Sequence, residues 1–90
     1  MKTLYHNESK SYSSETVEHN GKKFKISTEN GNCYSRTKIE LYTDNGLATI
    51  ANGGDISGII RVSYIDSDDE RLTGSLRNIQ LAKKYIEMIY

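Results

Sequence analysis

The chain has 90 residues, 12 basic and 12 acidic side chains for a formal net charge of +0, and a hydrophobic fraction of 36%. That length suits one domain, residues 1–90, with a small core. The balanced charge argues against the plainly basic profile of a general nucleic-acid binder and the plainly acidic one of a DNA mimic. The single cysteine, Cys33, rules out an internal disulfide framework and reads as a small buried hydrophobe.

Met1-Lys2-Thr3-Leu4 begins like a secretion signal, but Tyr5 to Lys10 supplies no apolar stretch to continue it. No segment approaches the length of a membrane span, so a cytoplasmic setting and no membrane partner are expected. Residues 1–12 read as a flexible arm or an edge strand, with Leu4 and Tyr5 as the apolar anchors.

Four Asn-Gly dipeptides follow, at Asn20-Gly21, Asn30-Gly31, Asn45-Gly46 and Asn52-Gly53. Both residues tolerate the positive φ of a type I′ turn, which makes the dipeptide the strongest short-range hairpin signal. The first joins Ser14–His19 to Lys22–Thr28, where Phe24 and Ile26 fall on one face and Lys23 and Lys25 on the other. A turn around Glu29–Asn32 leads into the longest alternating run, Cys33–Thr43. There Ser35, Thr37, Ile39 and Leu41 share the face of Cys33, opposite Tyr34, Arg36, Lys38, Glu40 and Tyr42. Asp44-Asn45-Gly46 turns it into Leu47–Ala51, and Ile56–Ile65 reads as a further strand, apolar on both faces and therefore central.

After an acidic turn at Asp66–Glu70, a helix is expected from about Ser75, with Thr73 or Ser75 as its N-cap. Leu76, Ile79, Ala82, Ile86 and Ile89 form its core stripe, and Leu81, Tyr85 and Met88 an adjoining one. The fold class is α+β: a four- to five-stranded antiparallel β-meander with one C-terminal helix packed on the sheet. A β-β-β-helix order is similar to that of the arm-binding domains of phage-type integrases. Their residue pattern is missing, so the similarity is one of topology.

Three surfaces are candidates for function. The stripe Leu81, Tyr85 and Met88 is either core or a seam for a protein partner or a second copy. Lys23, Lys25, Tyr34, Arg36, Lys38 and Tyr42 combine cations with aromatic platforms, the arrangement by which some sheets hold single-stranded nucleic acid; the plainer reading is a solvated face with cross-strand pairs to Glu40, Glu15 or Glu18. The acidic turn lacks the spacing of a calcium loop. His6 and His19 have no neighbours at the spacing of a triad or metal site, so no catalytic residue, metal or cofactor is expected.

The short, Asn-, Lys-, Ile- and Tyr-rich composition is typical of phage and mobile-element accessory proteins. The expectation is thus a non-enzymatic protein-binding module, an inhibitor of a host or defence protein, anti-CRISPR-like in character only, with homodimerisation through the helix. A nucleic-acid-binding module using the sheet face is the alternative.

Overall fold

A computed structural model describes residues 1–9, 11–31, 35–53 and 74–90. Five strands, β1 (Lys2–Glu8), β2 (Tyr12–His19), β3 (Lys22–Asn30), β4 (Ser35–Thr43) and β5 (Gly46–Asn52), form one antiparallel sheet in the order β1-β2-β3-β4-β5. A C-terminal helix, α1 (Gly74–Ile89), lies across β2, β3 and β4. The meander and its C-terminal helix are as expected. The N-terminal segment is an edge strand, with Lys2 opposite Glu18 and Glu8 opposite Ser13. The strand expected at Ile56–Ile65, the acidic turn, Cys33, Tyr34 and the cap at Thr73 lie outside the described residues.

Alternation decides which side chains meet the helix. Val17, Phe24, Ile26 and Ile39 come from the inner face of the sheet and Ile79, Ala82 and Ile86 from the helix, and Val17, Phe24, Ile26, Ile39, Ile79, Ala82 and Ile86 are fully buried. Ala51 and Tyr85 complete this core, with Leu41, Ile50, Leu81 and Tyr90 packed against its margin. Burial at about 25 cal/mol per Å² of apolar surface is the main source of stability in so small a core. Ile89, expected in the core stripe, is exposed at the last position of the helix. Tyr90 turns back instead: its ring meets Phe24 edge-on at a centroid distance of 5.2 Å, and its carbonyl accepts from Asn20 Nδ2 at 2.8 Å.

The Asn-Gly dipeptides do not act alike. Asn20 and Gly21 both have positive φ (52° and 76°) between the paired residues His19 and Lys22, which is a type I′ turn. Asn45 has no positive φ; Gly46 alone does, at 108°, and Thr43 pairs with Gly46. This hairpin therefore turns through Asp44-Asn45 and closes on Gly46, with positive φ confined to the glycine, in place of the expected type I′ turn. The Thr43 hydroxyl stabilises it, accepting from the Asn45 N–H at 3.2 Å and donating to the Gly46 carbonyl at 2.7 Å. Glu29 and Asn30 belong to β3, so Asn30-Gly31 does not sit at the centre of its turn as expected, and Asn52 is the last residue of β5, beyond which the turn expected at Asn52-Gly53 runs outside the described residues.

Gly46→Val tests the hairpin. No atom lies within 4 Å of where a Cβ would stand, so the penalty is entirely one of backbone conformation. A β-branched residue at that φ is expected to cost about 1–2 kcal/mol, read as a lowered denaturation midpoint.

Candidate functional site

The helix stripe is resolved residue by residue. Tyr85 is buried in the core, Leu81 is half-buried against it, and Met88 is 46% exposed. The expected seam of Leu81, Tyr85 and Met88 is therefore not an exposed stripe. The sheet beneath α1 spans three strands, wide enough to receive a broad apolar face, so Tyr85 and Leu81 are used for packing.

The opposite, outer face of the sheet does not carry α1. Strand register places Lys2, Tyr5 and Asn7 of β1 there, with Tyr12, Ser14, Thr16 and Glu18 of β2. Lys23, Lys25, Ser27 and Glu29 follow from β3, then Arg36, Lys38, Glu40 and Tyr42 from β4, and Leu47 and Thr49 from β5. Lys23, Lys25, Arg36, Lys38 and Tyr42 are thus brought to one face as the alternation predicts. Lys22, beside them in sequence, falls on the side of Phe24, at the end of the hairpin.

The charges on this face interleave. Lys23 stands opposite Glu18, Lys25 opposite Glu40 and Arg36 opposite Glu29, while the Lys38 ammonium lies 3.6 Å from the Glu40 carboxylate. Across β2 to β4 four cations thus face three carboxylates. The cations of β3 and β4 are thus largely offset by nearby carboxylates, most of them on neighbouring strands.

The aromatic component is also more specific than alternation shows. Lys23 Nζ sits 4.7 Å from the centroid of the Tyr42 ring, a cation–π contact that occupies a face of the ring. Leu47 stands directly across from Tyr42, and the two are 43% and 39% exposed. Tyr12 donates from its hydroxyl to Ser27 Oγ at 3.3 Å. Tyr5, 60% exposed, completes the set. Tyr5, Tyr12 and Leu47 lie beyond the site residues expected from β3 and β4. Extending the period of two through β1 and β2 would have placed Tyr5 and Tyr12 on this face; Leu47 needed the register of the second hairpin.

Glu15, expected as a cross-strand partner on the solvated face, is instead on the inner face and buried, because β2 alternates Ser13, Glu15 and Val17 inward. Its carboxylate pairs with the Lys83 ammonium of α1 and accepts from Thr3 Oγ1 at 2.8 Å. It also accepts from His6 Nδ1 at 3.0 Å; since a carboxylate only accepts, His6 carries its proton on Nδ1 in this contact. Lys83 Nζ donates onward to Thr3 Oγ1 at 3.3 Å. Burial pushes the Glu15 carboxyl up, but the hydrogen bonds from Lys83, Thr3 and His6 and the charge of Lys83 outweigh it, and the group is held below its ordinary value. Every member has a structural partner, so the cluster ties β1, β2 and α1 together.

Among the described residues no group of three or more His, Cys, Asp or Glu side chains is placed to hold a metal ion. Nor is any described helix long and apolar enough to cross a membrane. No family model, curated protein or solved structure matches this chain.

Proposed function

We propose that this chain is a non-enzymatic protein-binding module that docks through the outer face of its sheet. The observation that carries this reading is the corner formed by Lys23, Tyr42 and Leu47, an exposed aromatic and aliphatic pair with a cation laid over the ring. Tyrosine offers large contact area with few torsions to freeze and a hydroxyl for a polar partner, so it suits protein interfaces. Tyr5 and Tyr12 extend the same chemistry across a lattice of paired charges, which supplies a polar, register-setting surround. An inhibitor of a host or defence protein, as the composition suggests, fits this mode of action: it needs a face to occupy and no chemistry of its own.

Two features favour protein over nucleic acid. Cations already opposed by carboxylates release fewer counterions on meeting phosphates, which is the main source of nucleic-acid affinity. In addition, the Tyr42 ring has Lys23 over one face, where a stacked base would lie.

Immobilised chain, incubated with an extract of its native host, is expected to retain a protein that survives nuclease treatment. Tyr42→Ser combined with Leu47→Ser should abolish that retention while leaving the circular dichroism unchanged, since both side chains are exposed. Retention that disappears with nuclease, together with oligonucleotide binding that weakens steeply with salt and is lost in Arg36→Ala, would replace this reading with the nucleic-acid one.

A further inference from the structure

We propose that Asn45 is a site of spontaneous covalent modification: its side-chain amide is lost to attack by the Gly46 backbone nitrogen, and the product alters the corner of Lys23, Tyr42 and Leu47. An Asn-Gly pair is chemically labile, because glycine has no Cβ to keep its amide nitrogen from the preceding side chain. The Gly46 nitrogen bonds to Cγ of Asn45, and the Cγ–Nδ2 bond breaks. Ammonia leaves with the proton that the Gly46 nitrogen gives up, and a cyclic imide remains. Water then opens the imide at either carbonyl. Opening at Cγ gives aspartate. Opening at the main-chain carbonyl of residue 45 gives isoaspartate, in which the backbone runs through the side-chain carbon and is longer by a methylene. Either product carries a new carboxylate.

The fold singles out Asn45 among the four Asn-Gly pairs. Asn30 and Asn52 are paired within the ladder, with Ser35 and Lys38, so their backbone is held extended. Asn20 lies in a turn, but its amide is tied: Nδ2 donates to the Tyr90 carbonyl at 2.8 Å and lies 3.4 Å from His19 Nε2. The Tyr90 ring is seated against the buried Phe24, so this amide is anchored to the core. Asn45 is exposed, and Thr43 engages its backbone N–H; among the described residues no group hydrogen-bonds its side chain. That side chain is therefore free to rotate onto the Gly46 nitrogen. Thr43 and Gly46 are also the last pair of their ladder, where local opening costs least. The consequence rests on the docking face proposed above. Tyr42 and Leu47 are the next pair along, so an added backbone methylene at position 45 displaces the two against each other.

Ageing in mildly alkaline buffer, followed by peptide mass spectrometry, tests this. Position 45 should acquire the mass of an acid in place of an amide about fivefold faster than position 20, the factor that a hydrogen bond of typical net strength supplies. An isoaspartyl carboxyl methyltransferase, with S-adenosylmethionine as methyl donor, should label the aged wild type and leave an aged Asn45→Gln chain near background. Tyr90→Ala removes the ring that seats the chain end. It should raise the rate at position 20 several-fold and leave that at position 45 unchanged, whereas general unfolding raises both. Retention of the host protein should fall in step with isoaspartate and survive in Asn45→Asp, which adds the charge without lengthening the backbone. If the unaged chain retains no host protein, the docking reading fails, and the masses still decide the reaction at position 45. Equal rates at positions 20 and 45, rates in Tyr90→Ala that rise together or not at all, or full retention by the isoaspartyl chain would overturn the proposal.

Discussion

Phe24→Ala is expected to remove about 3–5 kcal/mol of folding stability, a large fraction of the total for a domain of this size. Phe24 is fully buried at the junction of β3 with the helix, and its ring is the partner of Tyr90. Truncation leaves a cavity bounded by Val17 and Leu41, the residues opposite it on β2 and β4. It also releases Tyr90 from the contact that, with Asn20, holds the end of the chain against the first hairpin. Neighbouring side chains on the paired strands have little freedom to collapse into the space, so the cost should sit in the upper part of the range. Urea denaturation followed by circular dichroism reads it. Leu47→Ala serves as the control, because that side chain is exposed and its loss should fall within about 0.5 kcal/mol. A similar small loss for Phe24→Ala would mean that the helix does not close over β3.

The second large effect is expected at Lys83. Lys83→Met keeps the length and apolar stem of the side chain but removes the ammonium, leaving the buried Glu15 carboxylate with only Thr3 and His6. Stripping one partner from a buried ion pair costs more than the pair is worth when intact, because the remaining charge must still be desolvated. The two surviving hydrogen bonds moderate this, for an expected loss of about 2–4 kcal/mol at neutral pH.

The pH dependence follows from the direction of the Glu15 shift. Its folded-state pKa is lowered relative to the unfolded chain, so the unfolded state binds more protons in that range. The stabilisation is complete above the ordinary glutamate value and is lost as the pH falls through the lowered, folded-state one. Wild type should therefore lose stability on acidification through that window. Lys83→Met should start lower at neutral pH and lose less on acidification, since protonating Glu15 then relieves an uncompensated charge. Parallel slopes for the two proteins would show that the Lys83–Glu15 pair does not set the acid response.

Several features are legible from neighbouring residues alone. The alternation of Phe24 and Ile26 with Lys23 and Lys25, and of Ile39 and Leu41 with Lys38 and Glu40, assigns inner and outer faces, because successive side chains in a strand point to opposite sides. Asn20-Gly21 marks the first hairpin, since it supplies two consecutive residues that accept positive φ. Ile79, Ala82 and Ile86 define the buried line of the helix by their spacing. These are local properties, and they suffice for the meander-plus-helix architecture.

What depends on distance across the fold is not legible in this way. Whether Leu81, Tyr85 and Met88 form a seam or a core margin depends on the width of sheet beneath the helix. That width is a sum over three strands, and it buries Tyr85 while leaving Met88 in solvent. Lys23 and Lys25 of β3 look uncompensated along the chain because Glu18 and Glu40 reach them only through inter-strand register. Glu15 reads as a surface charge until the helix brings Lys83 to it from 68 positions away. Even the second Asn-Gly turn follows this rule: Thr43 pairs with Gly46, which shifts the turn onto Asp44-Asn45 and leaves positive φ to the glycine alone. Pattern assigns each side chain to a face, but the energy of a buried charge, a seam or a turn depends on which distant partner occupies that face with it.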